Sequence, residues 1–325
     1  SEPGHERTPW NEEMIDSPDK PRAKPTNKAR PRRSLHFVPG GQERMFNKAL
    51  TLSADVLILD LEDSVTANNK LTAREAVCEW LQTDFGNSER VVRINAQDTP
   101  WGRDDLEAIM AARPDGIMVP KASTRVGVDA IDQIVGALET EHESDQGATD
   151  LILIATESPE AVFNVQQMAL NERVSALCWG AEDLAASLGA RAKRDADGNY
   201  LEVFSYVRST CLLSAAAAGI QAVDAVFVDV SDREGLKREC KSAADMGYRG
   251  KLSIHPNQVA IINDCFTPSD AEIAAARRLL EAFAEADKEG RMAFLFEGSM
   301  VDEPHLKNAR ELLALAELLG ATKSY

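Results

Sequence analysis

The chain has 325 residues, of which 36 are basic and 53 acidic, for a formal charge of −17. That length allows one large domain or two small ones, each with a sizeable core, and the charge speaks against nucleic acid as a general partner. The five cysteines include no CxxC pair, which argues against a disulfide framework or a zinc cage and for reduced thiols. No apolar run reaches the roughly 18 residues that span a membrane. The first thirty residues hold no apolar stretch of the secretory kind, so a cytoplasmic protein is expected.

Residues 1–32 are polar and proline-punctuated, without a period of 2 or 3.6, and read as a flexible arm. The segment Lys20 to Arg33 carries seven basic residues and no acid, which suits a solvated arm or a grip on a phosphate-bearing ligand or a neighbouring subunit. A regular alternation then begins. Short apolar or β-branched runs stand at Ser34–Val38, Val56–Asp60, Val91–Ile94, Gly116–Val119, Leu151–Ala155, Val174–Trp179, Ala225–Val230 and Lys251–His255. Helical patterns separate them at 43–52, 70–81, 101–112, 128–141, 160–170, 201–218 and 234–246, several stopped by a glycine such as Gly219 or Gly247. Strands alternating with helices make a parallel sheet, and eight of them favour a closed (β/α)8 TIM barrel over residues 33–266. Residues 267–325 break the pattern. Two helices, 269–289 and 304–319, flank a hairpin turning at Glu297-Gly298-Ser299, an appendage that packs on the barrel or on another subunit.

A barrel of this kind carries its chemistry at the carboxyl ends of its strands. Those ends supply Asp60-Leu61-Glu62-Asp63, Arg93-Ile94-Asn95, Pro120-Lys121, Glu157, Glu182-Asp183, Asp229 and His255-Pro256. Glu157 and Asp183 follow neighbouring strands. Two adjacent strand ends can aim two carboxylates at one hard cation such as Mg²⁺, with Mn²⁺ as its alternative. Glu182 competes with Asp183, which is equally placed to cap the short helix it opens. Arg93 reads as a fixed cation facing this pair or as the partner of the Asp60–Asp63 acids. Asp60, Glu62 and Asp63 are too many acids for one Mg²⁺, so they are read as groups that orient Arg93, Lys121 or metal-bound water. A Schiff base on Lys121 is unnecessary beside a metal, and His255 is read as structural.

Taken together, Arg33-Ser34-Leu35-His36-Phe37-Val38-Pro39-Gly40, Asp60-Leu61-Glu62-Asp63-Ser64-Val65, Arg93-Ile94-Asn95 and Val119-Pro120-Lys121 resemble the succession in citrate lyase β-subunit-like proteins of the HpcH/HpaI aldolase superfamily. Thr156-Glu157-Ser158-Pro159, Gly180-Ala181-Glu182-Asp183-Leu184, Ser253-Ile254-His255-Pro256-Asn257-Gln258 and Met300-Val301-Asp302-Glu303-Pro304 continue it in order. The resemblance implies a Mg²⁺-dependent barrel, assembled as a trimer or a dimer of trimers, with the metal on Glu157 and Asp183. It sets Arg93 against a thioester carbonyl and makes Asp302 an acid/base delivered across a subunit interface. It puts Phe37 and Lys48 at the coenzyme A moiety, and the 189–200 insertion at the acid pocket.

The implied reaction is reversible carbon–carbon cleavage of a 3-hydroxyacyl-CoA, of the malyl-, β-methylmalyl- or citramalyl-CoA type, to a 2-oxo acid and an acyl-CoA. The alternatives are a malyl-CoA-type thioesterase, a β-subunit of a citrate lyase complex and, least favoured, an aldolase acting on a free oxo acid.

Overall fold

The computed structural model describes residues 30–288 and 293–320. The strands are β1 (Ser34–Pro39), β2 (Val56–Asp60), β3 (Glu89–Arg93), β4 (Gly116–Val119), β5 (Asp150–Ile154), β6 (Val174–Cys178), β7 (Gln221–Asp224) and β8 (Gly250–Ser253). All pair in parallel with their sequence neighbours, and β1 pairs with β8 to close the barrel. Parallel strands are covered on both faces, which is why these runs are nearly all apolar. Side chains alternate between the two faces. Leu35, Ile58, Val91, Met118, Ile152, Cys178 and Val223 belong to the cluster that fills the barrel. Leu57, Leu59, Val92, Ile117, Leu153 and Leu177 belong to the larger core shared with the helices.

Those helices are α1 (Glu43–Ala49), α2 (Lys70–Trp80), α3 (Gly102–Met110), α4 (Arg125–Glu141), α5 (Pro159–Ala169), α6 (Ala181–Leu188), α7 (Glu202–Ala218), α8 (Arg233–Met246) and α9 (Pro256–Phe266). Their ends follow local chemistry. Thr124 and Ser158 accept the amides of Gly127 and Ala161 at the starts of α4 and α5, and Gly189, Gly219 and Gly247 end α6, α7 and α8 in the left-handed conformation.

The amino-terminal floor of the barrel is plugged by polar groups. Glu89 and Asp150 share inward parity with Val91 and Ile152, and Arg32 comes up between them. Its guanidinium donates to both oxygens of Glu89 at 2.7 and 2.8 Å, to Asp150 at 3.0 Å and to the Ser175 hydroxyl at 2.8 Å. A Cβ on Gly250 would lie 1.8 Å from the carbonyl oxygen of Arg32, so only glycine admits this segment. Arg32 therefore belongs to the barrel floor; residues 1–29 of the expected arm lie outside the described residues.

The seventh strand differs from expectation. It is Gln221–Asp224, and the apolar run 225–230 follows it as irregular chain. Asp229, expected at that strand's end, lies in an exposed loop where it accepts hydrogen bonds from Ser231 and Asp232. The true strand end is Asp224, buried and satisfied by Lys251 at 2.8 Å, Arg208 at 2.9 and 3.0 Å and the Trp179 indole at 2.7 Å. Its charge hides a strand that hydrophobicity alone places too late.

After α9 come α10 (Asp270–Lys288), a two-stranded hairpin of β9 (Phe294–Phe296) and β10 (Ser299–Val301), and α11 (Glu303–Leu318). This appendage has a small core of its own, in which Ala286, Phe294 and Val301 pack with Leu279, Ala282, Phe283 and Phe296. Arg249, in the turn before β8, pairs with Glu311 of α11 at 2.6 Å. Among the described residues no helix is long and apolar enough to cross a membrane.

Candidate active site

At the carboxyl mouth, strand parity sets which charged side chains face the axis. Asp60 shares a face with Val56 and Ile58, Arg93 with Val91, and register pairs Asp60 directly with Arg93. Their side chains meet as a fork, Nε to Oδ1 and Nη2 to Oδ2 at 2.6 Å each. Such bidentate pairs fix the guanidinium plane as well as its charge. Phe37 of β1 lies under it, its ring centre 4.7 Å from Cζ. Burial alone would raise the Asp60 carboxyl, but Arg93 outweighs it and holds that group below the usual range. Arg93 keeps its proton at any working pH; burial disfavours its charge and the surrounding acids more than compensate.

Beside this fork, Glu62 is buried at 5% exposure. It ion-pairs with the Lys121 ammonium, and its Oε2 lies 3.2 Å from Arg93 Nη1 without a hydrogen-bond partner. Burial pushes its carboxyl up. Asp63 is exposed, 3.7 Å from both Arg93 and Lys121. Lys70, at the start of α2, donates to the carbonyls of Leu61 and Glu62 at 2.8 and 2.7 Å and so pins the acid-bearing turn from below.

Glu157 stands just past β5, 6% exposed. Its Oε2 accepts the main-chain amide of Lys121 at 2.5 Å. Lys121 makes that contact from a left-handed backbone, φ +52°, an uncommon conformation for a residue with a side chain. The sequence marks Lys121 as a cation; it gives no sign that its backbone is the group that touches Glu157. Gly180 completes the pocket, since a Cβ there would sit 2.9 Å from Glu157 Cγ.

Burial pushes the Glu157 carboxyl up to about 8, and the charges of Asp183 and Glu62 push the same way against the Lys121 amide. Asp183 lies in the first turn of α6, while Gly180 takes the N-cap position, so Asp183 is not the cap. It forms no hydrogen bond or ion pair with the described residues. A buried carboxylate that repels a second one across a gap, with that second one bare, is a donor set that a hard divalent cation relieves. The two acids fit such an ion, with the remaining positions left to water or substrate oxygens. Among the described residues no group of three or more metal-binding side chains gathers.

Other expected residues form no hydrogen bond or ion pair with these groups. Lys48 is exposed on α1. Asp302 is exposed at the N-cap of α11, its Oδ1 2.7 Å from Nδ1 of His305; within one chain its partners are residues of the appendage. His255 opens α9, where its Nδ1 accepts the amide of Asn257. His36, buried on β1, contacts the Ser253 hydroxyl at 3.1 Å; burial, with His255 nearby, lowers it to about 4 and keeps it neutral.

Comparison with known proteins gives this arrangement a context. The profile of the HpcH/HpaI aldolase/citrate lyase family matches residues 33–256. A (3S)-malyl-CoA thioesterase of Cereibacter sphaeroides is 38% identical over 300 residues, spanning 92% of this chain and 99% of that protein. An L-malyl-CoA/β-methylmalyl-CoA lyase of the same species is 34% identical over 317 residues, with 92% and 99% covered. Among solved structures, protein CitE of Mycobacterium tuberculosis, in complex with magnesium, acetoacetate and coenzyme A, superposes with a TM-score of 0.72 at 36% identity, covering 88% of this chain and 98% of that one.

Proposed function

We propose that this chain, which belongs to the HpcH/HpaI aldolase/citrate lyase family, is a Mg²⁺-dependent carbon–carbon lyase for a 3-hydroxyacyl-CoA with a distal carboxylate. The observation that carries the reading is the pairing of two unlike devices at one barrel mouth. One is the carboxylate pair Glu157 and Asp183; the other is a guanidinium locked by Asp60. Glu157 and Asp183 would hold the cation, which would supply Lewis-acid polarisation of the oxo-acid half.

The chain's own groups do the rest. Asp302, carried in by the appendage of a neighbouring copy, takes the proton of the substrate hydroxyl. The bond between the hydroxyl-bearing carbon and the carbon alpha to the thioester breaks, leaving a 2-oxo acid and an enolate. Arg93 faces the thioester oxygen where that negative charge develops, and its fork to Asp60 means it need not reorganise to do so. Asp302 returns that proton to the enolate carbon, which releases the acyl-CoA and restores the base. Phe37 and the exposed Lys48 are assigned to the coenzyme, and Glu62, Asp63 and Lys121 to holding the charged frame in place.

The thioesterase reading is favoured by one specific observation, the 38% identity to a malyl-CoA thioesterase. Product analysis separates the two: glyoxylate or pyruvate with an acyl-CoA marks the lyase, and malate with free coenzyme A the hydrolase. Either activity is expected to disappear with EDTA and in Glu157→Ala and Asp183→Ala. Wild-type turnover of malyl-CoA by either variant overturns the metal assignment.

A further inference from the structure

The loop between α6 and α7 bends back over the end of β6. There Lys193 forms an ion pair with Glu182, the neighbour of Asp183. Lys193 is held by its surroundings. Its carbonyl accepts the Leu201 amide at 2.9 Å. The next residue, Arg194, reaches Glu239 at 2.7 Å, donates to the Gly198 carbonyl at 2.9 Å and stacks on the Tyr200 ring at 3.7 Å. Tyr200 meets Trp179 edge-on, ring centres 5.0 Å apart. Glu239 and Asp224 share the fully buried Lys251 ammonium, 2.8 Å from each, and Asp224 accepts the Trp179 indole. The circuit starts beside Glu182 and ends at Trp179, next to Gly180. The loop is thus anchored on both sides of the turn that presents Asp183.

We propose that Lys193 is a positioning residue that selects between the two adjacent acids of α6. By engaging Glu182 it leaves Asp183 as the carboxylate that faces Glu157. This rests on the reading of Glu157 and Asp183 as the cation's ligands. Glu182 has the longer side chain and shares the first turn of α6 with Asp183, so once released it can swing toward the position that Asp183 leaves.

The test is Mn²⁺ binding by electron paramagnetic resonance, without substrate. Asp183→Ala is expected to weaken binding by at least the roughly 10–100-fold that losing a mere orienting partner of a ligand costs. Adding Lys193→Met in that background frees Glu182 and is expected to recover about tenfold or more of it. Adding Arg191→Met instead removes an exposed cation of the same loop that does not touch Glu182, and is expected to recover nothing. Equal recovery by both, or none by Lys193→Met, overturns the proposal. Wild-type affinity in Asp183→Ala alone overturns the parent reading instead, a distinct result. Glu182→Gln in the otherwise native protein gives a second, independent reading: retained affinity supports the selection, and a loss as large as that of Asp183→Ala overturns it.

Discussion

Arg93 is the residue on which the proposed chemistry turns, and its worth lies in shape as much as charge. Arg93→Lys keeps the cation but cannot hold the fork to Asp60, so kcat is expected to fall roughly 10²–10³-fold, as when an oxyanion donor is removed; steady-state rates on malyl-CoA check this. His36 offers a pH signature separate from catalysis. Its folded value near 4 lies below the free value of 6.5, so the unfolded chain binds the extra proton as pH falls. Stability is complete above about 6.5 and declines between there and 4, by up to about 3 kcal/mol from this group. His36→Gln is expected to flatten that part of the curve, read from urea midpoints between pH 7 and 4. Position was legible at this scale: Asp60 and Arg93 end β2 and β3, Glu157 follows β5, and Asp183 lies in the helix turn after β6. The Lys121 amide was not, because a left-handed backbone at a lysine leaves no mark in composition.

Among the elements, the boundaries that sequence reading placed well are those where burial is apolar. β2, β4 and β6 read as continuous hydrophobic runs because both faces are covered. β7 was displaced because its last residue is an aspartate made tolerable by Lys251 and Arg208, contacts 27 and 16 residues away, while the apolar 225–228 beyond it imitates a strand. α9 passed unread, although Pro256 at its start and the spacing of Val259, Ile262 and Phe266 carry the usual signals. The turn between β6 and α6 gives the sharpest element-scale prediction. Gly180 has an ordinary backbone, φ −117°, so its absence of a Cβ matters chiefly for Glu157, whose Cγ a Cβ would approach to 2.9 Å. Gly180→Ala is expected to weaken Mg²⁺ binding by about tenfold or more, as loss of an orienting contact does. Its melting temperature should fall by no more than about 2–4 °C, since alanine caps a helix less well than glycine by about 1 kcal/mol. Calorimetric titration and a thermal melt measure both.

For the molecule as a whole, the appendage is the part whose purpose a single copy does not explain. It buries little of its own, leaves Leu295 and Met300 69% and 64% exposed, and keeps Asp302 engaged with His305. If Asp302 completes the site of a neighbouring copy, Asp302→Ala and Glu157→Ala are each inactive alone. Mixed after dissociation and reassembly, the two are expected to regain activity, because some sites then combine a native barrel with a native appendage. Assay of the mixture against each parent checks it, and a mixture as inactive as its parents places Asp302 outside the partner's chemistry. The barrel was readable from the alternation of patterns along the chain. What the appendage docks on was not, since no pattern within one chain encodes whether a second copy lies against it.

The Arg32 plug has a consequence for traffic. With its interior filled by side chains such as Ile58, Val91 and Ile152 and its far end sealed by a guanidinium, two carboxylates and a hydroxyl, the barrel is a blind alley, and on the lyase reading both products must leave by the way the substrate entered. On that reading the oxo acid, gripped at the carboxylate pair, would wait behind the long coenzyme tail. In the synthetic direction this forces a queue: oxo acid first, acyl-CoA second. Initial-rate measurements with both substrates varied are expected to show that compulsory order, and random addition would mean a second door.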